Sequence, residues 1–113
     1  MNRFTKFLYA FIIIIVFTIS VAYGQIKVIQ FNAGWNEANN VDWFDKLSDV
    51  NTETKNIDEQ KIQKKYAIAI VPTIIIFDDD EEVKRFQADL SFKMVATRKE
   101  VQEYIDELIM SKF

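Results

Sequence analysis

The sequence contains no cysteine and no histidine among its 113 residues. A disulfide, a thiolate nucleophile, an imidazole base and a zinc site built from cysteine and histidine are therefore excluded. Glycine occurs twice and proline once, so tight turns must be made largely by other residues. Half of the residues are hydrophobic and 27% are charged, which is typical of a folded chain, and the length suits one domain.

The first 24 residues have the pattern of an export signal. Arg3 and Lys6 precede the apolar run Phe7–Phe17, and smaller residues follow as far as Gly24. We predict residues 1–24 as a cleaved signal peptide and residues 25–113 as the domain. An uncleaved membrane anchor is the alternative, because Phe7–Tyr23 is near the shortest apolar length that spans a bilayer. Either alternative places the domain outside the cytoplasm, in the periplasm or extracellular space, free or anchored to the membrane.

The charge of the predicted domain limits its partners. Residues 25–113 hold 12 basic against 17 acidic groups, a net charge of −5, which argues against a nucleic-acid partner. Membrane contact is expected only through residues 1–24 if they are uncleaved. The five consecutive acids Asp78–Glu82 lack the alternating ligands and the glycine of a calcium loop, so they predict a solvated hairpin tip. We expect no metal and no cofactor.

Hydrophobic periodicity predicts an α/β domain. Strands are expected at residues 26–31, 73–77 and 83–88, with a short edge strand near 51–57. Strand–helix–strand order implies parallel pairing, and the last two strands imply an antiparallel hairpin. The expected architecture is a mixed central sheet with helices on both faces.

Three helices are predicted between these strands. Residues 38–47 repeat apolar side chains at helical spacing, with Asn36 or Asn39 available as the N-cap. Asp58 is expected to cap a short helix that ends at Tyr66. Thr97 and Glu100 have capping-box spacing ahead of an apolar stripe over residues 101–109.

Three segments in this order resemble the thioredoxin family. Val28–Trp35 resembles its first core strand and the approach to its active site, and Tyr66–Phe77 resembles its segment that ends in a Pro-Thr step and an apolar strand. Val83–Phe86 and the last helix complete the pattern. The resemblance covers nearly all of residues 26–110 and implies a thioredoxin-like fold.

The departures from the family pattern concern its redox chemistry. In the family the tryptophan is followed by Cys-x-x-Cys, whereas here Trp35 is followed by Asn36, and Asn39 stands at the second cysteine position. Gln30 stands where the family commonly has a buried acid. The resemblance therefore implies a redox-inactive member that is not an enzyme, with Asn36 capping the first helix in place of a thiolate.

The resemblance also implies a peptide-binding groove. In the family the proline of the Pro-Thr step is cis, and the residue before it offers backbone hydrogen bonds to an extended peptide. The matching groove residues are Trp35, Asn36, Val71, Pro72 and Thr73. The alternative is that Pro72 only shapes the fold.

Two further positions bear on partner binding. Trp43 lies off the apolar stripe and is a second candidate contact. Ala88 stands where the family often has glycine, so we expect the loop around residues 88–92 to differ.

These observations lead to three hypotheses about function. The first is an exported thioredoxin-like domain without thiol chemistry that binds a protein or peptide through the former active-site face. The second is a membrane-tethered structural or interaction subunit of an envelope complex. The third, a non-thiol enzyme on the same scaffold, has little support because the sequence shows no acid/base pair.

Overall fold

A computed structural model of the protein describes residues 26–113, and the predicted signal peptide or anchor lies outside them. Four strands form one sheet: β1 (Ile26–Asn32), β2 (Asn51–Asn56), β3 (Thr73–Asp78) and β4 (Glu81–Gln87). The strand order is β2-β1-β3-β4. β1 and β2 are parallel, and the other two pairings are antiparallel, so the predicted mixed sheet is confirmed. Within residues 26–113 no helix has the length and apolarity to cross a membrane.

Helices cover both faces of this sheet, as expected. α1 (Gln60–Tyr66) packs on one face and α2 (Arg98–Met110) on the other. Because neighbouring residues of a strand point to opposite faces, β1 and β3 supply apolar side chains to two separate clusters. The α2-side cluster contains Ile26, Val28, Val41, Phe44, Leu47, Ile74, Ile76, Val101 and Ile105. The α1-side cluster contains Ile29, Phe31, Ala33, Ile68, Val71 and Ile75.

The predicted first helix is wrong as a continuous element. Two short 3₁₀ helices, Gly34–Asn39 and Phe44–Lys46, occupy this region. Asn36 sits inside the first of them with non-helical dihedrals and does not act as a cap. Asparagine side chains compete with the backbone for hydrogen bonds, and here they bond one another instead of supporting a helix. The apolar spacing still identified core residues, since Val41 is among the buried side chains.

The start of α1 also differs from the prediction. The residue at its N-cap is Glu59, with no side-chain cap, whereas the Asp58 carboxylate accepts a hydrogen bond from the Gly34 N–H at 3.1 Å. A Cβ atom at position 34 would lie 2.8 Å from that same oxygen, so glycine permits this close approach. Asp58 thus ties α1 to the segment that follows β1. The end of α1 at Tyr66 agrees with the prediction.

The predicted hairpin tip and the predicted cap of the last helix are both confirmed. Asp79 and Asp80 form a two-residue hairpin tip with positive φ at both positions, as a type I′ turn requires. The Thr97 hydroxyl accepts a hydrogen bond from the Glu100 N–H at 3.2 Å and caps α2.

Candidate functional site

An asparagine network occupies the end of β1 and the first 3₁₀ helix. Asn36 donates from Nδ2 to Asn32 Oδ1 at 3.0 Å and to the Phe92 carbonyl at 3.1 Å, and its Oδ1 accepts from Asn39 Nδ2 at 2.8 Å. Asn32 donates in turn to the Asn36 carbonyl and to Asn40 Oδ1. Asn36 is only 4% exposed. Across residues 26–113 no buried side-chain polar atom lacks a partner, so this network is satisfied and rigid.

A cavity of about 330 Å³ opens beside this network. It lies between the first 3₁₀ helix, the start of α1, the segment before β3, and the loop that follows β4. Most of its lining residues have apolar side chains, polar atoms make up much of its exposed surface, and Asp58 is its acidic residue. The lining residues are Ala33, Trp35, Ile57, Asp58, Gln63, Ile68, Ala69, Ile70, Val71 and Phe92.

Two aromatic rings form one rim of the cavity. Trp35 is 67% exposed, and its ring meets that of Phe92 edge-to-face with centroids 5.0 Å apart. Phe92 has φ of 64°, an unfavourable conformation for a bulky residue. The loop holds Phe92 there because its N–H bonds the Asp89 carbonyl and its own carbonyl accepts from Asn36.

Asp89 organises the same loop electrostatically. Its Oδ1 accepts from the Ser91 hydroxyl, the Ser91 N–H at 2.9 Å and the Lys93 N–H at 3.3 Å. These bonds favour the ionised form, so the Ser91 hydroxyl first, and then the backbone N–H groups, lower the pKa of Asp89. The charged carboxylate therefore helps to hold Phe92 against Trp35.

The predicted groove residues do lie together, but most of them are inside the fold. Trp35 is exposed, whereas Asn36, Val71, Pro72 and Thr73 are buried. Thr73 donates its hydroxyl to the Ile70 carbonyl at 2.6 Å, and the Val71–Pro72 peptide bond is cis. Val71 lines the cavity, and no hydrogen bond within residues 26–113 occupies its backbone N–H or C=O.

Gln30 and Trp43 lie on the other side of β1. Gln30 is 3% exposed, and its Oε1 accepts from the Val41 N–H at 2.8 Å, which anchors the loop after the first 3₁₀ helix. Its Nε2 donates to Thr54 Oγ1 at 3.4 Å. Trp43 is half-buried against the α2-side cluster, away from the cavity lining.

Sequence reasoning missed Phe92 and Asp58 as parts of this site. Phe92 comes from the loop after β4. The sequence singled out Ala88 in this loop, but Ala88 has ordinary φ and pairs with Met94. The Asp89-x-Ser91 pattern could have indicated a tight side-chain-bonded turn that projects Phe92. Asp58 was expected to cap a helix, and instead it faces the cavity.

Comparisons with known proteins bear on the fold. No protein-family model and no curated protein matches the chain. A mutant thioredoxin from Halobacterium salinarum is 18% identical, with a TM-score of 0.59 and 77% of each chain covered. Thioredoxin from Malassezia sympodialis is 21% identical over 79% of this chain and 81% of that one, with a TM-score of 0.56. Thioredoxin from Schistosoma mansoni is 20% identical over 75% and 78%, with a TM-score of 0.58.

These similarities establish the fold. The chain has a thioredoxin-like α/β fold with a four-stranded mixed sheet, which confirms the expectation from sequence. It contains no cysteine, so it has no thiol of its own for disulfide exchange.

Proposed function

We propose that this protein binds an extended segment of a protein partner at the cavity beneath Trp35 and Phe92, without thiol chemistry. The observation that carries the proposal is the cavity itself, which has an exposed tryptophan at its rim and the unbonded backbone of Val71 in its wall. An extended peptide binds through main-chain hydrogen bonds combined with a pocket for a side chain. The cavity offers both.

The size and lining of the cavity suit a peptide side chain. Its volume of about 330 Å³ is at the lower end of the range for ligand sites, roughly 300–1,000 Å³. Val71 lines the cavity and is 2% exposed, so a bound peptide could contact only a small part of its backbone. One partner side chain in the cavity beneath Trp35 and Phe92 would bring a peptide backbone to this segment.

The strained loop supports a binding role over a purely structural one. Holding Phe92 at positive φ costs on the order of 1–3 kcal/mol, and such strain concentrates at functional sites. The same loop leaves Phe92 39% exposed beside Trp35, a placement that does little for the core. Exposed aromatic side chains in contact with each other are typical anchors of protein interfaces.

The test is capture of a partner from an extract of the host, compared between matched variants. Trp35→Ala removes an exposed aromatic ring at the cavity, and Phe113→Ala removes one that is 78% exposed at the C-terminus, outside the cavity lining. The captured partner is fixed by chemical cross-linking. We expect wild type and Phe113→Ala to retain the same cross-linked species and Trp35→Ala to lose it. Equal capture by all three would contradict binding at this face.

We further propose that residues 1–24 export the domain, on the strength of their basic start and apolar run. The intact mass of the protein isolated from its host tests this. A mass that lacks the leader supports a cleaved, exported domain. A full-length chain in the membrane fraction favours the tethered subunit instead.

A further inference from the structure

We infer that the cavity receives an arginine side chain from the extended partner, an inference that rests on the proposed peptide-binding function. Asp58 is the acidic residue among the cavity's lining residues, and the other lining side chains are apolar apart from that of Gln63. The lysines of α1, at positions 61, 64 and 65, do not line it. The cavity therefore favours a cationic over an anionic occupant.

The side-chain oxygens of Asp58 and Gln63 are available acceptors in the lining, beside donors that include the Val71 N–H. Asp58 uses Oδ2 to accept from the Gly34 N–H, and no other hydrogen bond within residues 26–113 occupies its carboxylate. Gln63 donates from Nε2 to the Ile68 carbonyl at 3.3 Å, and its Oε1 accepts no hydrogen bond within that range. A side chain with several donors matches these two side-chain acceptors, while a peptide carbonyl would match the Val71 N–H.

The aromatic rim favours arginine over lysine. The methylene groups of either side chain can pack on Ile57, because Ile68 and Val71 are almost fully buried. The exposed rings of Trp35 and Phe92 at the rim can stack against a planar guanidinium, which is less strongly hydrated than an ammonium group. The guanidinium also presents several N–H groups in one plane to the two acceptors.

The overall charge of the protein acts in the same direction. Residues 25–113 have a net charge of −5, so the domain as a whole attracts cationic segments. The ion pair between the partner's arginine and Asp58 would be partly exposed to solvent, and exposed ion pairs contribute modestly to the binding free energy. We therefore expect a preference for arginine of about three- to ten-fold rather than many orders of magnitude.

The experiment uses the protein isolated from its host and short, terminally blocked peptides of alanine, serine and threonine. One central position is arginine, citrulline, lysine, leucine or glutamate. Citrulline has the shape of arginine without its charge. Quenching or shift of tryptophan emission reports binding, because Trp35 lies at the cavity rim.

Matched variants separate the charge of Asp58 from the net charge. Asp58→Asn keeps an oxygen for the Gly34 N–H but removes the carboxylate charge. Glu59→Gln removes the same charge one position away, from a residue outside the cavity lining. We expect arginine to bind about three- to ten-fold more tightly than citrulline or lysine in wild type and Glu59→Gln. Asp58→Asn should abolish the difference from citrulline.

Two kinds of result would overturn the inference. The first kind would overturn the arginine site alone and leave peptide binding intact. It comprises equal affinity for the arginine peptide and the citrulline or lysine peptide, tighter binding of the leucine peptide, and an unchanged arginine preference in Asp58→Asn. If none of the peptides binds, the proposed peptide-binding function fails together with the inference.

Discussion

Replacing Asn36 by alanine should destabilise the protein more than its short side chain suggests. The side chain is 4% exposed and takes part in three hydrogen bonds, to Asn32, to the Phe92 carbonyl and from Asn39. At a net contribution of about 0.5–1.5 kcal/mol each, and with partners left unpaired, Asn36→Ala should lower the free energy of unfolding by about 2–4 kcal/mol. A domain of this size is stabilised by only about 5–15 kcal/mol in total, so the loss is large.

Urea denaturation followed by circular dichroism measures this change, with Asn39→Ala as the control. The Asn39 side chain is half-buried and makes one hydrogen bond within the network, to Asn36, so its removal should lower the free energy of unfolding by only about 1 kcal/mol. The double variant should be less destabilised than the sum, because both substitutions remove the same bond. Equal effects of the two single substitutions, or a loss below about 1 kcal/mol for Asn36→Ala, would refute the buried network.

Three further outcomes follow from the same geometry. Asn36→Cys with Asn39→Cys should form an intramolecular disulfide on oxidation, detected by loss of titratable thiols, because the two side chains already meet at 2.8 Å; thiols that stay free would contradict this. Thr97→Ala should lower the free energy of unfolding by about 1 kcal/mol, and Thr97→Ser should not, since serine keeps the capping oxygen. The pKa of Asp89 is lower in the folded protein than in the unfolded chain. Its hydrogen bonds therefore stabilise the folded state fully above the unfolded pKa, and this stabilisation is lost as the pH falls through the folded pKa. Acid should therefore release the loop and shift Trp35 emission, a step that Asp89→Asn should lack.

The sheet and α2 could be predicted because their signals are local. Buried strands such as residues 73–77 are continuous apolar runs, and Thr97 marks the start of α2 through its capping bond. The prediction of the first helix was wrong because hydrophobic periodicity takes no account of side chains that compete with the backbone for hydrogen bonds. Asn36 and Asn39 satisfy each other instead of the backbone, and the chain becomes two 3₁₀ turns.

The candidate site was only partly predictable because its members come from four distant segments. Trp35 and Val71 could be placed through the resemblance, which follows chain order. Phe92 could not, because its position depends on a loop closed by Asp89 and on the bond from Asn36. Asp58 could not either, since its role depends on the close approach of Gly34 across the fold.

The most direct test of binding at the cavity is a two-dimensional NMR titration of the ¹⁵N-labelled protein with the tightest-binding peptide of the series. We predict that the Trp35 indole N–H and the Val71 and Phe92 amides shift together, while the Trp43 indole N–H, against the α2-side cluster, stays unchanged. Shifts confined to α2 or β4, with Trp35 and Val71 unmoved, would contradict it.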